Sequence, residues 1–206
     1  MRKLIRKLSD MRGISGFEYR LTDQIADMFK KYCDDVKIDS LGSVIAVKRS
    51  NKPNAPKLMI EAHCDEIGLI VTSITDEGYL TFANVGGVDE RILPSTEVTV
   101  HGKEDLWGVI GIKPNYLLEQ GKTAKLKELA VDTGLSAEKV KELAAVGDSI
   151  TLAQSVGRLG KKQFSGKSLD DRASVAAIMR VMKNIKDLDI DIDVYAVAAV
   201  QEEVGC

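Results

Sequence analysis

Three short polar clusters in this 206-residue chain hold residue types that could do chemistry. The first, Ala62-His63-Cys64-Asp65-Glu66-Ile67-Gly68, sets an imidazole two residues before a carboxylate. In an extended chain, residues i and i+2 share a face, so Asp65 can orient the His63 ring while the other ring nitrogen binds a metal. Cys64 points the opposite way and reads as core. The second cluster is Ser168-Leu169-Asp170-Asp171-Arg172. An acid just before a helix caps it and faces its positive end, which accounts for one aspartate but not for two beside an arginine. The third is Val200-Gln201-Glu202-Glu203-Val204-Gly205-Cys206, a carboxylate pair after an apolar run. Taken singly, each cluster also fits ordinary charge at a strand end or helix start. Together they resemble the kit of a two-metal site: terminal ligands, a bridging carboxylate, and a carboxylate free to take a proton from water. Zn²⁺, Co²⁺ and Mn²⁺ all suit imidazole with carboxylate.

The elements that must position these clusters follow from hydrophobic period. Leu4, Ile5, Leu8 and Met11 recur at helical spacing, predicting a helix over 2–11. Gly13-Ile-Ser-Gly16 breaks it. Ser15 and Glu18 have the spacing of a capping box, followed by an apolar face of Leu21, Ile25, Met28, Phe29 and Tyr32. A hairpin is expected around Asp39-Ser-Leu-Gly42, between Val36–Asp39 and Ser43–Lys48. Leu58–Ala62 reads as a strand ending at His63, and Ile67–Ile74 as another. Arg172–Ile185 is helical by spacing. Ile192–Val200 reads as a strand, and its apolar run Val194–Val200 suggests burial on both faces. Strand C-terminal ends are where open α/β sheets hold ligands, and both His63 and Glu202-Glu203 sit at such ends.

The stretch between differs in texture. Short strand-like runs at Tyr79–Phe82, Glu97–His101, Gly108–Ile112 and Ser149–Leu152 alternate with glycine, proline and acidic turns, plus one helix N-capped by Ser136. The expected organisation is therefore an α/β domain in two parts, 1–74 and 165–206, with a β-rich module inserted at 75–164.

Bulk properties exclude several classes. A net charge of -2 with scattered basic residues gives no electrostatic footprint for nucleic acid or an anionic membrane. No run approaches the ~20 apolar residues of a membrane span. Three cysteines without a spacing pattern suggest a reducing, cytoplasmic setting rather than disulfides.

In order and separation, Ala-His-Cys-Asp-Glu-Ile-Gly, Ser-Leu-Asp-Asp-Arg and Val-Gln-Glu-Glu-Val-Gly resemble the motifs of the M42 family of metallo-aminopeptidases. The insert agrees: Asn84-Val-Gly-Gly-Val-Asp-Glu-Arg-Ile-Leu-Pro94 and Val109-Ile-Gly-Ile-Lys-Pro114 are similar to that family's oligomerisation domain. The resemblance implies a mixed-sheet α/β/α metallopeptidase domain of the phosphorylase/hydrolase-like type, C-terminally incomplete, carrying a small β-rich domain. It implies His63, Asp170 and Glu203 as metal ligands, with Asp170 bridging two ions and joined to Asp171 by an unusual peptide geometry. Glu202 would be the general base and Asp65 would orient His63. The implied cofactors are two divalent ions, Zn²⁺ or Co²⁺ before Mn²⁺. The implied substrates are short peptides losing their N-terminal residue, and the implied partners are further copies of the chain, in a dimer or dodecamer.

The chain also departs from the family. Relatives continue past the Glu-Glu motif with a further aspartate and histidine ligand, and many carry a histidine where Asn115-Tyr116 follow Pro114. Here the remaining histidine, His101, is better explained as part of a polar strand face. The expectation is thus a fragment with little peptidase activity by itself. A non-catalytic oligomeric scaffold is the alternative. A glycoside hydrolase fits poorly, since sugar-cleaving acids need no His-Asp partner and work among aromatic platforms, and aromatic content is 5%. Gly166-Lys-Ser168 has the tail of a P-loop, but Gly160 lies one residue too far upstream.

Overall fold

The computed structural model describes residues 1–112 and 124–205. Contacts divide the chain into two units, residues 1–66 with Ser155 onward, and residues 67–154.

The first unit opens with α1 (Arg2–Ser9) and α2 (Tyr19–Phe29), the two expected amphipathic helices. The second stops at Phe29 rather than Tyr32, and the expected capping box does not form: Glu18 is the N-cap residue without a side-chain capping bond. Ser15 and Glu18 are buried and spend their side chains elsewhere. β1 (Asp35–Ile38) and β2 (Val44–Lys48) form the antiparallel hairpin. Asp39 Oδ1 accepts from the N–H groups of Leu41, Gly42 and Ser43 at 2.9–3.0 Å, and Gly42 takes a φ of +113° that side chains disfavour. β3 (Lys57–His63) ends on the first polar cluster.

The second unit is a closed barrel. β4 (Gly68–Ile74), β5 (Leu80–Val85), β6 (Glu97–His101), β7 (Asp105–Ile112), β8 (Leu129–Asp132) and β9 (Ser149–Leu152) close in the order β4-β5-β8-β7-β6-β9. Closure leaves no open sheet edge. Between β8 and β9 lies α3 (Ala137–Leu143), whose N-cap Ser136 Oγ accepts from Lys139 N–H at 3.4 Å. The barrel core is Leu69, Val71, Leu80, Val98, Val100, Ile110, Val131 and Ile150 with their neighbours. Each fully buried aliphatic side chain contributes about 1.5–3 kcal/mol. His101 lies in β6 among polar strand neighbours, with Nδ1 2.8 Å from Asp105 Oδ1 and Nε2 2.9 Å from Thr151 Oγ1.

The unit boundaries differ from the expected 75–164. Residues 67–74 supply β4, which pairs with β5 and β9; an apolar strand carries no mark of which sheet it will join. Residues 155–164 return to the first unit, where Val156 N–H donates to Asp10 Oδ1 at 3.2 Å. Lys113-Pro114 of the insert motif and Asn115-Tyr116 lie outside the described residues, as does Cys206.

The first unit then continues with a hairpin of β10 (Gly157–Leu159) and β11 (Gln163–Ser165), followed by α4 (Leu169–Ile185) and β12 (Asp193–Ala199). The main sheet has the order β1-β2-β12-β3, with β12 antiparallel to β2 and parallel to β3. Val44, Ala46, Ala62, Val194, Ala196 and Ala198 form its inner face, packed with Leu8, Leu21, Ile25, Phe29, Val175 and Met179 from the helices. β12 is interior in the sheet, but its burial alternates instead of covering both faces: Tyr195, Val197 and Ala199 are half-buried. Among the described residues, the core of this unit is a single cluster on the helix-covered face.

Candidate metal centre

Parallel pairing of β3 and β12 sets His63 opposite Ala199, and the Cys64 N–H donates to the Ala199 carbonyl at 2.8 Å. The residues that follow each strand therefore leave from the same edge. After β12, Gln201 turns left-handed (φ 62°, ψ 21°), and Glu202–Val204 form one 3-10 turn. On the other side, the start of α4 is not regular helix. Asp170 (φ -84°, ψ 112°) and Asp171 (φ -120°, ψ 30°) are non-helical, and the peptide bond between them is cis.

These local geometries bring the three clusters together. Ligand atoms of His63, Glu202 and Glu203 all lie within 4.8 Å of one another. His63 Nε2 is 3.3 Å from Asp170 Oδ1 and 3.7 Å from Glu202 Oε2. On the ring's other side, Nδ1 is 3.3 Å from Asp65 Oδ1. That contact is off-line for a hydrogen bond, so buried Nδ1 has charge attraction to Asp65 without a linear bond.

Asp65 is fully buried and accepts from several donors at once. Ser15 Oγ donates to Oδ2 at 2.6 Å, Glu202 N–H to Oδ1 at 3.2 Å and Glu203 N–H to Oδ2 at 3.1 Å. It holds the Glu202-Glu203 backbone as well as facing the His63 ring.

Charge in the centre is strongly one-sided. Burial pulls the His63 pKa down, but Asp65, Asp170 and Glu202 outweigh it and raise the value above that of a free imidazole. The Glu203 carboxyl is raised chiefly by burial, and further by Glu202, Asp65 and Asp170 against the lowering effect of His63. Carboxylates crowded around one imidazole repel each other until a cation sits among them. Imidazole with carboxylate oxygens is a donor set for hard or borderline divalent ions, and the Asp170 side chain, 92% exposed, leaves the centre open to solvent. The residues fit a divalent metal.

Beneath the centre lies a network that spacing alone did not reveal. Glu66 Oε2 is 2.7 Å from Lys167 Nζ, and Oε1 is 3.3 Å from Arg172 Nη2. Ser168 Oγ also donates to Glu66. Arg172, fully buried, donates to the carbonyls of Cys64, Leu8, Ser9, Met11 and Gly13. Burial lowers the Lys167 pKa, and the Glu66 carboxylate opposes that shift. Gly166-Lys-Ser168 is thus no phosphate loop: its lysine and serine grip Glu66. The signal available in the sequence was an arginine directly after two aspartates, which names no partner.

A family model, M42 glutamyl aminopeptidase, matches residues 42–206. The chain belongs to the M42 family. A lysyl aminopeptidase of Pyrococcus furiosus is 35% identical over 211 residues, covering 98% of this chain and 60% of the relative. Among solved structures, the aminopeptidase APDkam598 of the archaeon Desulfurococcus kamchatkensis superposes with a TM-score of 0.91 at 37% identity, covering 98% of this chain and 56% of that one. The TET1 peptidase of Pyrococcus horikoshii, which can assemble into a tetrahedron or a large octahedral shell, gives 0.88 at 35% identity, with 99% and 62% covered. This M42 chain thus spans about 60% of the length of the relatives it matches. The M42 likeness accords with the mixed α/β fold carrying a small β-rich unit.

Proposed function

We propose that this chain carries the metal-binding half of a divalent-metal aminopeptidase that removes N-terminal residues from short peptides. The observation that supports the reading most directly is the convergence of His63, Glu202 and Glu203 ligand atoms within 4.8 Å, beside Asp170. In this reading His63, Asp170 and Glu203 would hold divalent metal. Bound divalent metal supplies a Lewis acid and a lowered pKa for water. Asp65 faces Nδ1 of His63 and so directs Nε2 toward the metal position. Glu202, with a side chain 57% exposed, takes the proton from the attacking water and hands it to the departing amine.

The Pyrococcus horikoshii relative that assembles into a tetrahedron or octahedral shell supports assembly of several copies; in this reading the barrel unit is the contact domain and the metal is Zn²⁺ or Co²⁺. Cys33 and Cys64 are free thiols, which accords with a cytoplasmic setting. Among the described residues, no helix is long and apolar enough to cross a membrane.

Titration with Co²⁺ tests the reading, because cobalt reports its ligands by visible absorption. Saturable binding by the chain, lost in His63→Ala, is the expected result, accompanied in a chain of the relatives' full length by metal-dependent release of anilide from aminoacyl anilides. A chain that takes up no metal overturns the reading and favours the scaffold alternative.

A further inference from the structure

We infer that Ser15 and Glu18, in the loop between α1 and α2, are positioning residues that clamp the Glu202-Glu203 turn from below. The inference rests on the reading of that turn as part of a metal centre. Both residues lie outside the span, 42–206, that the family model matches.

Beyond Ala199 the chain leaves the β12 ladder, and the opening N–H groups of the 3-10 turn have no partner within their own element. Three consecutive amides are instead taken by buried carboxylates. Gln201 N–H donates to Glu18 Oε1 at 3.0 Å, Glu202 N–H to Asp65 Oδ1 at 3.2 Å and Glu203 N–H to Asp65 Oδ2 at 3.1 Å. Ser15 Oγ donates to that same Oδ2 at 2.6 Å, fixing the rotation of the carboxylate that takes two of these amides. Ser15, Glu18 and Asp65 are 6%, 5% and 0% exposed, so water does not compete for these bonds.

The loop is itself anchored to the first cluster. Ser15 N–H donates to the Glu66 carbonyl at 3.3 Å, Glu66 N–H to the Gly13 carbonyl at 3.0 Å, and Ile14 bridges Glu66 in parallel. A Cβ at Gly13 would stand 2.8 Å from Leu21 Cδ2 and 3.2 Å from Leu21 Cβ, so a side chain there would force buried Leu21 to shift. The loop therefore runs as a short rail beside the residues after His63 and reaches across to the residues after Ala199. Loss of either side chain leaves the His63 segment in its ladder but frees the backbone from which Glu202 and Glu203 project. Neither side chain makes a capping bond to α2; the Glu18 carboxylate takes backbone N–H groups of its own loop, at Gly16 and Glu18, and reaches beyond it to Gln201.

The test compares Ser15→Ala and Glu18→Ala with Ser15→Thr, which keeps the hydroxyl, and Glu18→Gln, which keeps an acceptor oxygen. Amide hydrogen exchange of the metal-free chain is read at Gln201, Glu202 and Glu203, and Co²⁺ affinity is read by titration. The alanine variants are expected to exchange faster at these amides while β12 stays protected, and to bind Co²⁺ about 10–100-fold more weakly, as for loss of other residues that orient metal ligands. The conservative variants are expected to recover both properties. If an alanine variant loses protection in β12 as well, Ser15→Cys and Glu18→Met keep the volume without the strong donor or acceptor and are read the same way. Unchanged exchange at residues 201–203 overturns the inference, and so does faster exchange with wild-type Co²⁺ affinity. If the wild-type chain binds no Co²⁺, the metal-centre reading fails and this inference falls with it; if wild type and alanine variants bind alike, this inference alone fails.

Discussion

Arg172 Nη2 stands 3.3 Å from Glu66 Oε1, with the two side chains 0% and 4% exposed. A buried pair of this kind is costly to break from one side, because the survivor is left charged and unpaired, a loss of about 3–5 kcal/mol. Arg172 also satisfies carbonyls from Leu8 to Gly13 and that of Cys64, which ties α1, the loop after it and the end of β3 to the start of α4.

Glu66→Ala is therefore expected to destabilise the chain by about 3–5 kcal/mol, read from urea unfolding midpoints. Arg172→Lys is expected to fail as a conservative change, since one ammonium cannot reach carbonyls spread along a planar fork. Wild-type stability in either variant would show that the network is not structural.

Asp65→Asn keeps the size of the side chain but places an N–H₂ where the Glu202 or Glu203 amide now donates. Loss of such an orienting group costs about 10–100-fold in metal affinity. Calorimetric titration with Zn²⁺ checks this, and an affinity within experimental error of wild type would remove Asp65 from its assigned role.

Glu202→Gln separates proton transfer from metal binding. In a chain of the relatives' full length, turnover of aminoacyl anilides is expected to fall about 10²–10⁴-fold, the usual worth of a general base, with Co²⁺ uptake little changed. An equal collapse of Co²⁺ binding would make Glu202 a ligand, a role its place within 4.8 Å of His63 and Glu203 allows.

Burial, reinforced by the charge of Asp34, pushes the Cys33 thiol up to about 11. An unfolded thiol titrates near ~8.5. Between these values the folded state keeps a proton that the unfolded state has released, so stability must fall as pH rises through that window. The contribution is complete below about pH 8.5 and is lost as pH climbs toward 11. Comparing urea midpoints of wild type and Cys33→Ser at neutral and alkaline pH isolates it. The serine variant should show the shallower alkaline decline, and parallel curves would refute the assignment.

Local features were legible in the sequence because their causes are local. The α2 face, the Asp39 turn and the Ser136 cap each depend on residues a few positions apart. The misreadings have a common origin. Ser15 and Glu18 have capping spacing, yet Ser15 bonds a carboxylate 50 residues away and Glu18 an amide 183 residues away. Residues 67–74 look like any apolar strand, and only pairing with β5 and β9 assigns them to the barrel.

The sequence by itself indicated most of the helices and strands, though not β8, β10 or β11, and it offered His63, Asp65, Asp170, Glu202 and Glu203 as candidates together with the family. Periodicity and short motifs carry that information because hydrophobic faces, turns and caps are set by neighbours in the chain. Only the tertiary structure decided how those residues are held. The parallel register of β3 and β12 brings His63 beside the Glu202-Glu203 turn, and buried Ser15, Glu18, Glu66 and Arg172, with half-buried Lys167, fix the backbone beneath. Such partners are chosen by the need to satisfy buried charges and amides, and that need leaves no period in the sequence.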